Sequence, residues 1–326
     1  MIPNKRNNMK NIKILTIIIL IFSMCAITAC GKSSGNGSNE RIIVAGSSSV
    51  QPYAELLAEA YELIFPESKI DIQGGGSAAG ISSAEAGIAD VGMSSRDLKD
   101  NDPDLWYTKI ATDGLAIIVN PRLTGVNNLT KEQIRDIYTG KITNWRELNG
   151  PDAQIYVITR EEGSGTRTAF EDLVMGKDSA GNPIEISHKA IVQNSNGAVR
   201  LFVSDDINFI GFISLGLVEA KDNEQKEVKA LQMDGIEPTA ENVRNGSYKL
   251  SRPFLFLTHG NHSVLTRNFI TYILSEAGQK LLTDEGLVSI LPEERQQILN
   301  ELDILDIDEI RKLETVDKLK ELDKLK

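Results

Sequence analysis

The sequence predicts an α/β protein of two lobes with a cleft between them. Three observations carry that expectation. Short apolar runs alternate with helical stretches along most of the chain, the pattern of parallel sheets covered by helices. Several of these runs end in Gly/Ser-rich turns. The length of 326 residues corresponds to about two domains. Hydrophobic residues make up 41% and charged residues 25%, which excludes a disordered chain, a collagen and a multi-span membrane protein.

Residues 1–29 read as an export leader. Lys5, Arg6, Lys10 and Lys13 precede an apolar run from Ile14 to Ile27 that is too short to span a bilayer comfortably. Ile27-Thr28-Ala29-Cys30 resembles a bacterial lipobox, which makes Cys30 the lipid attachment site and the membrane a partner through that anchor. The alternative is an ordinary leader with an incidental cysteine. Residues 30–40 form a Gly/Ser-rich flexible tether. Cys25 and Cys30 are the two cysteines, so the rest of the chain has no thiol for a disulfide or a metal site.

The net charge is −11, from 35 Lys plus Arg against 46 Asp plus Glu. Removing the leader takes four basic residues and no acidic ones, leaving 31 against 46, a net charge of −15. Such a chain is no non-specific nucleic-acid binder, which needs a basic surface.

Arg41 to Ala45 predicts a strand that runs into Gly46-Ser47-Ser48-Ser49, with a helix from Tyr53 to Phe65 behind it, stopped by Pro66. Lys69 to Gln73 is a second strand, ending at Gly74-Gly75-Gly76-Ser77 before a small-residue helix. Ala89 to Met93 is a third, followed by Ser94-Ser95-Arg96, and Leu115 to Val119 is a buried fourth. Pro121 to Asn128 reads as a crossing into the second unit, where Thr130 caps a helix. Ile155 to Thr159 is a strand entering Arg160-Glu161-Glu162-Gly163-Ser164-Gly165-Thr166-Arg167, with a helix through Phe170 and Leu173 after it. Ile207 to Ile213 is a further strand; Phe254 to Thr258 returns to the first unit, closed by one helix from Val264 to Leu282. The expected lobes are residues 41–119 with 255–291, and residues 120–254. Trp106 and Trp145 are expected in or near the core.

The tail, residues 292–326, is different material. Ile304, Ile307, Ile310, Leu313, Val316, Leu319, Leu322 and Leu325 recur every three residues, which fits neither an α-helical face nor a coiled coil. One or two short helices are expected there.

The four Gly/Ser turns share one grammar. Each follows a strand, and most precede a helix. A helix N-terminus offers unpaired N–H groups and about half a positive charge, glycine lets backbone approach closely, and Ser or Thr adds a hydroxyl. A single such turn is more often a helix cap. Several converging at the carboxyl ends of strands make an anion site.

These turns resemble the phosphate-binding proteins of high-affinity bacterial phosphate transporters. The matching stretches are Ala45 to Pro52, Gly74 to Gly80, Asp90 to Arg96, Ile137 to Trp145 and Arg160 to Thr166, and the resemblance covers nearly all of Ile42 to Leu291. It implies a periplasmic-binding-protein-like fold of type II with the ligand in the inter-lobe cleft. It implies phosphate contacts from Ser48, Ser49 and Ser77. It implies that Arg160, held by Glu162, forks two phosphate oxygens, and that Ser164, Gly165 and Thr166 close the other side. Many members carry a carboxylate where Ser95 stands. Here Ser95 is expected to contact the anion, Arg96 to add a donor, and Asp113 to replace the missing acceptor, the alternative for Asp113 being a solvated turn residue. The implied partners are inorganic phosphate and the permease and ATPase subunits of an ABC importer, with no cofactor and no catalysis. Another oxyanion, such as sulfate or molybdate, is the alternative ligand.

An extracellular serine hydrolase is a remote alternative. His188, His259 and His262 are the three histidines, and none lies in a serine turn. A zinc site at His259 and His262 lacks a third ligand. The Gly74-x-Gly76-x-x-Ala79 run lacks the acidic partner of a dinucleotide site.

Overall fold

The computed structural model describes residues 41–218, 227–260 and 262–301. The leader, Cys30, the tether and the tail beyond residue 301 lie outside the described residues.

Apolar runs become strands and the turns after them open helices. In chain order these are β1 (Arg41–Gly46), α1 (Gln51–Ile64), β2 (Lys69–Gly74), α2 (Ser77–Glu85), β3 (Val91–Ser94) and β4 (Trp106–Val119). Then come β5 (Asn128–Leu129), α3 (Lys131–Thr139), β6 (Tyr156–Arg160), α4 (Gly165–Phe170), β7 (Ile191–Gln193), α5 (Asn196–Asp205) and β8 (Phe209–Ser214). The chain continues through β9 (Lys229–Ala230), β10 (Gln232–Met233), α6 (Ala240–Arg244), β11 (Ser251–Thr258), α7 (Val264–Leu274), α8 (Glu276–Asp284) and α9 (Pro292–Glu301). Among the described residues no helix is long and apolar enough to cross a membrane.

One sheet runs in the order β2-β1-β3-β11-β4-β8-β6-β7, with β9 also on β4. β2, β1 and β3 are parallel, as are β8, β6 and β7; β11 is antiparallel to both β3 and β4. β5 and β10 form a small parallel pair of their own.

β4 joins the two halves. Trp106 to Gly114 pairs with β11, and Leu115 to Val119 pairs with β8. Two hydrophobic cores follow that division. One packs Tyr53 and Tyr61 of α1, Phe254 and Phe256 of β11, and Phe269 and Tyr272 of α7. The other holds Leu115, Tyr138, Trp145, Phe170, Phe212 and Leu250, with the Phe170 and Phe212 rings stacked 4.2 Å apart. The chain passes from one core to the other between Gly114 and Leu115 and back between Leu250 and Ser251. These two crossings lie side by side, since Leu115 N donates to Leu250 O over 2.8 Å.

Several details differ from the sequence reading, each for a local reason. β4 extends back to Trp106 through its pairing with β11, and the pattern missed this half because it is only partly buried, with Tyr107 exposed and no continuous apolar run. The long closing helix is broken at Ser275, whose extended backbone ends α7 and whose hydroxyl accepts from Gly278 N to cap α8. β7 and α5 went unread because β7 has three residues and no buried position. Thr130 caps α3 with a full capping box, as expected. Trp145 is fully buried, and Trp106 is half-buried against the first core.

Candidate anion-binding site

The β1–α1 turn is tightly enclosed. Gly46 has φ of 141°, and a Cβ there would meet Met93 O at 2.4 Å and the Gly80 Cα at 2.7 Å. Only glycine fits so close to β3 and α2. Ser47 Oγ accepts from Ser49 N over 3.2 Å and donates to Ser95 Oγ over 2.9 Å. This places the hydroxyls after β1 and β3 together.

The β2–α2 turn joins them. Gly76, at φ of 92°, caps α2 and donates to Gly46 O over 2.9 Å. Ser77, the first residue of α2, is fully buried; its Oγ accepts from Ser95 N at 3.0 Å and lies 3.4 Å from Ser95 Oγ.

The turn after β6 meets this cluster from the other half. Ala78 N donates to Gly163 O over 3.0 Å. Ser49 Oγ and Thr166 Oγ1 lie 2.7 Å apart. Ser164 caps α4, its Oγ accepting from Arg167 N over 3.3 Å. At Gly165 a Cβ would meet Ser77 Oγ at 2.2 Å and Ser95 Oγ at 2.6 Å, so the bare backbone is what lets the halves close. Ser47, Ser49, Ser77, Ser95, Ser164 and Thr166 are all buried.

Arg160 ends β6, one turn before Ser164, and is 1% exposed. Its Nη2 donates to Ser48 Oγ over 2.9 Å. Its Nε and Nη2 fork the Glu161 carboxylate at 2.8 and 2.9 Å. The partner expected from the sequence was Glu162, which is exposed; the adjacent Glu161 takes that place because only it turns back along the guanidinium. Nη1 of Arg160 has no hydrogen-bond partner among the described residues. A buried cationic donor in that condition is costly unless an anion meets it.

Two further expectations are corrected. Arg96 does not join the cluster: its guanidinium forks Asp102 at 2.6 and 2.9 Å and donates to Asp97 O at 2.7 Å. That contact holds the Asp102 carboxyl below the usual carboxylate range. Asp113 is buried, one residue before the chain crosses between the cores, rather than solvated, yet it is not a free acceptor. Its Oδ1 accepts from Ser214 Oγ at 2.8 Å, and its Oδ2 from Arg252 Nε and Nη2 at 3.1 and 3.0 Å. Burial pushes the Asp113 carboxyl up, while Arg252 and Ser214 oppose that shift.

The structure adds two residues that sequence reasoning missed. Arg252, 4% exposed, opens β11 and brings Nη1 to 3.5 Å from Ser95 Oγ. Its signal was a lone cation at the head of the apolar run after Leu250. Asn196 at the start of α5 donates to Ser49 Oγ over 2.9 Å and accepts from Ser214 N over 3.2 Å. Ser195-Asn196-Gly197 repeats the grammar of the other turns.

The arrangement is a buried cluster of hydroxyls, helix starts and a guanidinium, drawn from both halves. It can hold a small oxyanion by short, desolvated hydrogen bonds. Among the described residues no group of three His, Cys, Asp or Glu could hold a metal ion.

Comparison with known proteins agrees in class. The family profile of the PBP superfamily domain matches residues 31–277. The phosphate-binding protein PstS of Bacillus subtilis is 29% identical over 299 residues, covering 86% of this chain and 95% of its own. PstS of Staphylococcus epidermidis is 31% identical over 300 residues, covering 85% and 89%. A Clostridium perfringens crystal structure, described as a phosphate ABC transporter substrate-binding protein with bound phosphate, is 40% identical. It covers 77% of this chain and all of its own, with a TM-score of 0.71. An ABC-type phosphate transport receptor from Vibrio cholerae is 39% identical with a TM-score of 0.63, again over 77% of this chain and 100% of its own. The chain therefore belongs to the PBP superfamily, within its PstS-type group of two-lobed solute-binding proteins.

Proposed function

We propose that this protein is an extracytoplasmic receptor that captures inorganic phosphate and passes it to the permease and ATPase subunits of an ABC importer. One observation carries the reading: Arg160 is buried, bonded to the Ser48 hydroxyl of the other half, with Nη1 unpartnered among the described residues. The names of the relatives and the phosphate in the Clostridium perfringens structure support the choice of anion.

In this reading Arg160 grips two phosphate oxygens. Ser48, Ser49, Ser77, Ser95, Ser164 and Thr166 add hydroxyls, and Gly165 a backbone N–H. The lobes open and close about the paired crossings at Gly114/Leu115 and Leu250/Ser251, each a few residues earlier in the chain than the boundaries expected at 119/120 and 254/255. The protein binds its ligand and releases it unchanged. Cys30 carries the lipid that anchors the chain, and replacing it by serine should release the protein from membranes into the soluble fraction.

Calorimetry with phosphate on residues 31–326, parent against Arg160→Ala, tests the site. Equal affinity in both would refute the assignment.

A further inference from the structure

The hinge carries a second arginine aimed at the same cluster. Arg252 and Asp113 are direct partners in the β11–β4 register, one residue from each crossing of the chain. Arg252 Nε and Nη2 both go to Asp113 Oδ2, which fixes the plane of the guanidinium. Ser214, at the end of β8 in the other half, holds the second carboxylate oxygen. The remaining nitrogen, Nη1, is left facing Ser95 Oγ at 3.5 Å, the outer limit of a hydrogen bond. The same Ser95 Oγ also accepts from Ser47 Oγ, so its own proton points elsewhere.

Two guanidiniums thus converge within electrostatic reach of one another. Burial drives the Arg252 guanidinium toward losing its proton, Asp113 opposes that, and the charge of Arg160 adds to it. Each arginine is forked by one carboxylate, Glu161 or Asp113; Arg252 brings Nη1 to Ser95 Oγ, and Arg160 keeps a buried Nη1 with no hydrogen-bond partner among the described residues. Each carboxylate fixes its guanidinium through Nε and Nη2 and leaves Nη1 for a further group of negative charge.

We propose that Arg252 is a second anion-gripping residue of this site, which binds a tetrahedral oxyanion together with Ser95 and is held in direction by Asp113 and Ser214. The proposal rests on the phosphate-receptor reading above and names a further ligand contact within it. Because Arg252 stands at the crossing strands, the contact ties the bound anion to the hinge itself.

The test is calorimetry with inorganic phosphate on residues 31–326, for the parent, Arg252→Lys, and the double variant Asp113→Asn/Arg252→Gln. The double variant removes both charges of the buried pair, so neither is stranded, and circular dichroism with a melting curve checks its fold. It is expected to fold and to bind phosphate about tenfold or more weakly, the loss of one charged hydrogen bond. Arg252→Lys is expected to recover part of that affinity and to shift the phosphorus NMR resonance of the bound anion, a readout that a purely structural role would not move. Failure of the parent to bind phosphate overturns the receptor reading. Parent binding that survives within about twofold in the folded double variant, with an unshifted resonance in Arg252→Lys, overturns the role of Arg252 alone.

Discussion

Arg160 Nη2 donates to Ser48 Oγ over 2.9 Å, and this bond joins the strand end of one half to the strand end of the other. The two residues lie on β6 and in the turn after β1, far apart in the sheet order. Their contact, with those of Ser49 to Thr166 and Ala78 to Gly163, makes the cleft a closed one. Closure excludes water, and charged hydrogen bonds are stronger in such a place.

Arg160→Ala should weaken phosphate binding by about 100-fold, or ~3 kcal/mol, through loss of charge-assisted contacts. It also leaves Glu161 without its fork, so a fall in melting temperature is expected as well. Calorimetry and thermal melting on the same sample separate the two effects.

Gly165→Ala addresses closure rather than charge. The added methyl would stand 2.2 Å from Ser77 Oγ and 2.6 Å from Ser95 Oγ, both buried on short side chains with no room to retreat. The halves would be wedged apart. Phosphate affinity should fall about tenfold or more while the melting temperature of the free protein changes little, because neither core is touched.

Arg96→Ala should leave phosphate affinity unchanged, since its guanidinium is spent on Asp102 and Asp97. It should cost about 1 kcal/mol of stability at neutral pH by freeing a half-buried carboxylate. Asp102 has a lowered pKa in the folded protein, so the contribution of this pair is present above the unfolded-state pKa and lost as pH falls through the folded one. Melting of parent and variant should therefore converge in acid. A persistent difference there would mean that Arg96 stabilises by packing.

Sulfate should compete with phosphate. The residues converging on Ser95 are hydroxyls and Arg252, and both oxygens of Asp113 are already engaged. No unengaged carboxylate among the described contacts of Ser95 demands a proton on the ligand. Titration of phosphate in excess sulfate measures this; an unaltered phosphate affinity would show that some acceptor was overlooked.

Ionic strength should matter little. With 31 basic and 46 acidic residues beyond the leader, no general positive field recruits the anion. Binding rests on buried contacts, which salt screens weakly. A drop of several decades in affinity between low and moderate salt would contradict this.

Much of the fold was legible because its strands are apolar runs closed by glycine and serine. β1, β2 and α3 were visible from pattern and caps alone. The first half of β4 was hidden because one face is exposed, so Tyr107 and Lys109 interrupt the apolar run. The serine turns announced the site through their shared grammar. What they could not announce was side-chain direction: Glu161 rather than Glu162 turns to Arg160, and Arg96 turns away to Asp102. Arg252 was invisible for a different reason. It lies 139 residues from Asp113 in sequence, and only the β4–β11 register brings them together.

The most direct test of the account is phosphate calorimetry on residues 31–326, run on the parent and on Arg160→Ala. Saturable one-to-one binding by the parent, weakened about 100-fold in the variant, is the result expected of an oxyanion receptor built around Arg160. No heat from the parent, or the same affinity in both proteins, would contradict it.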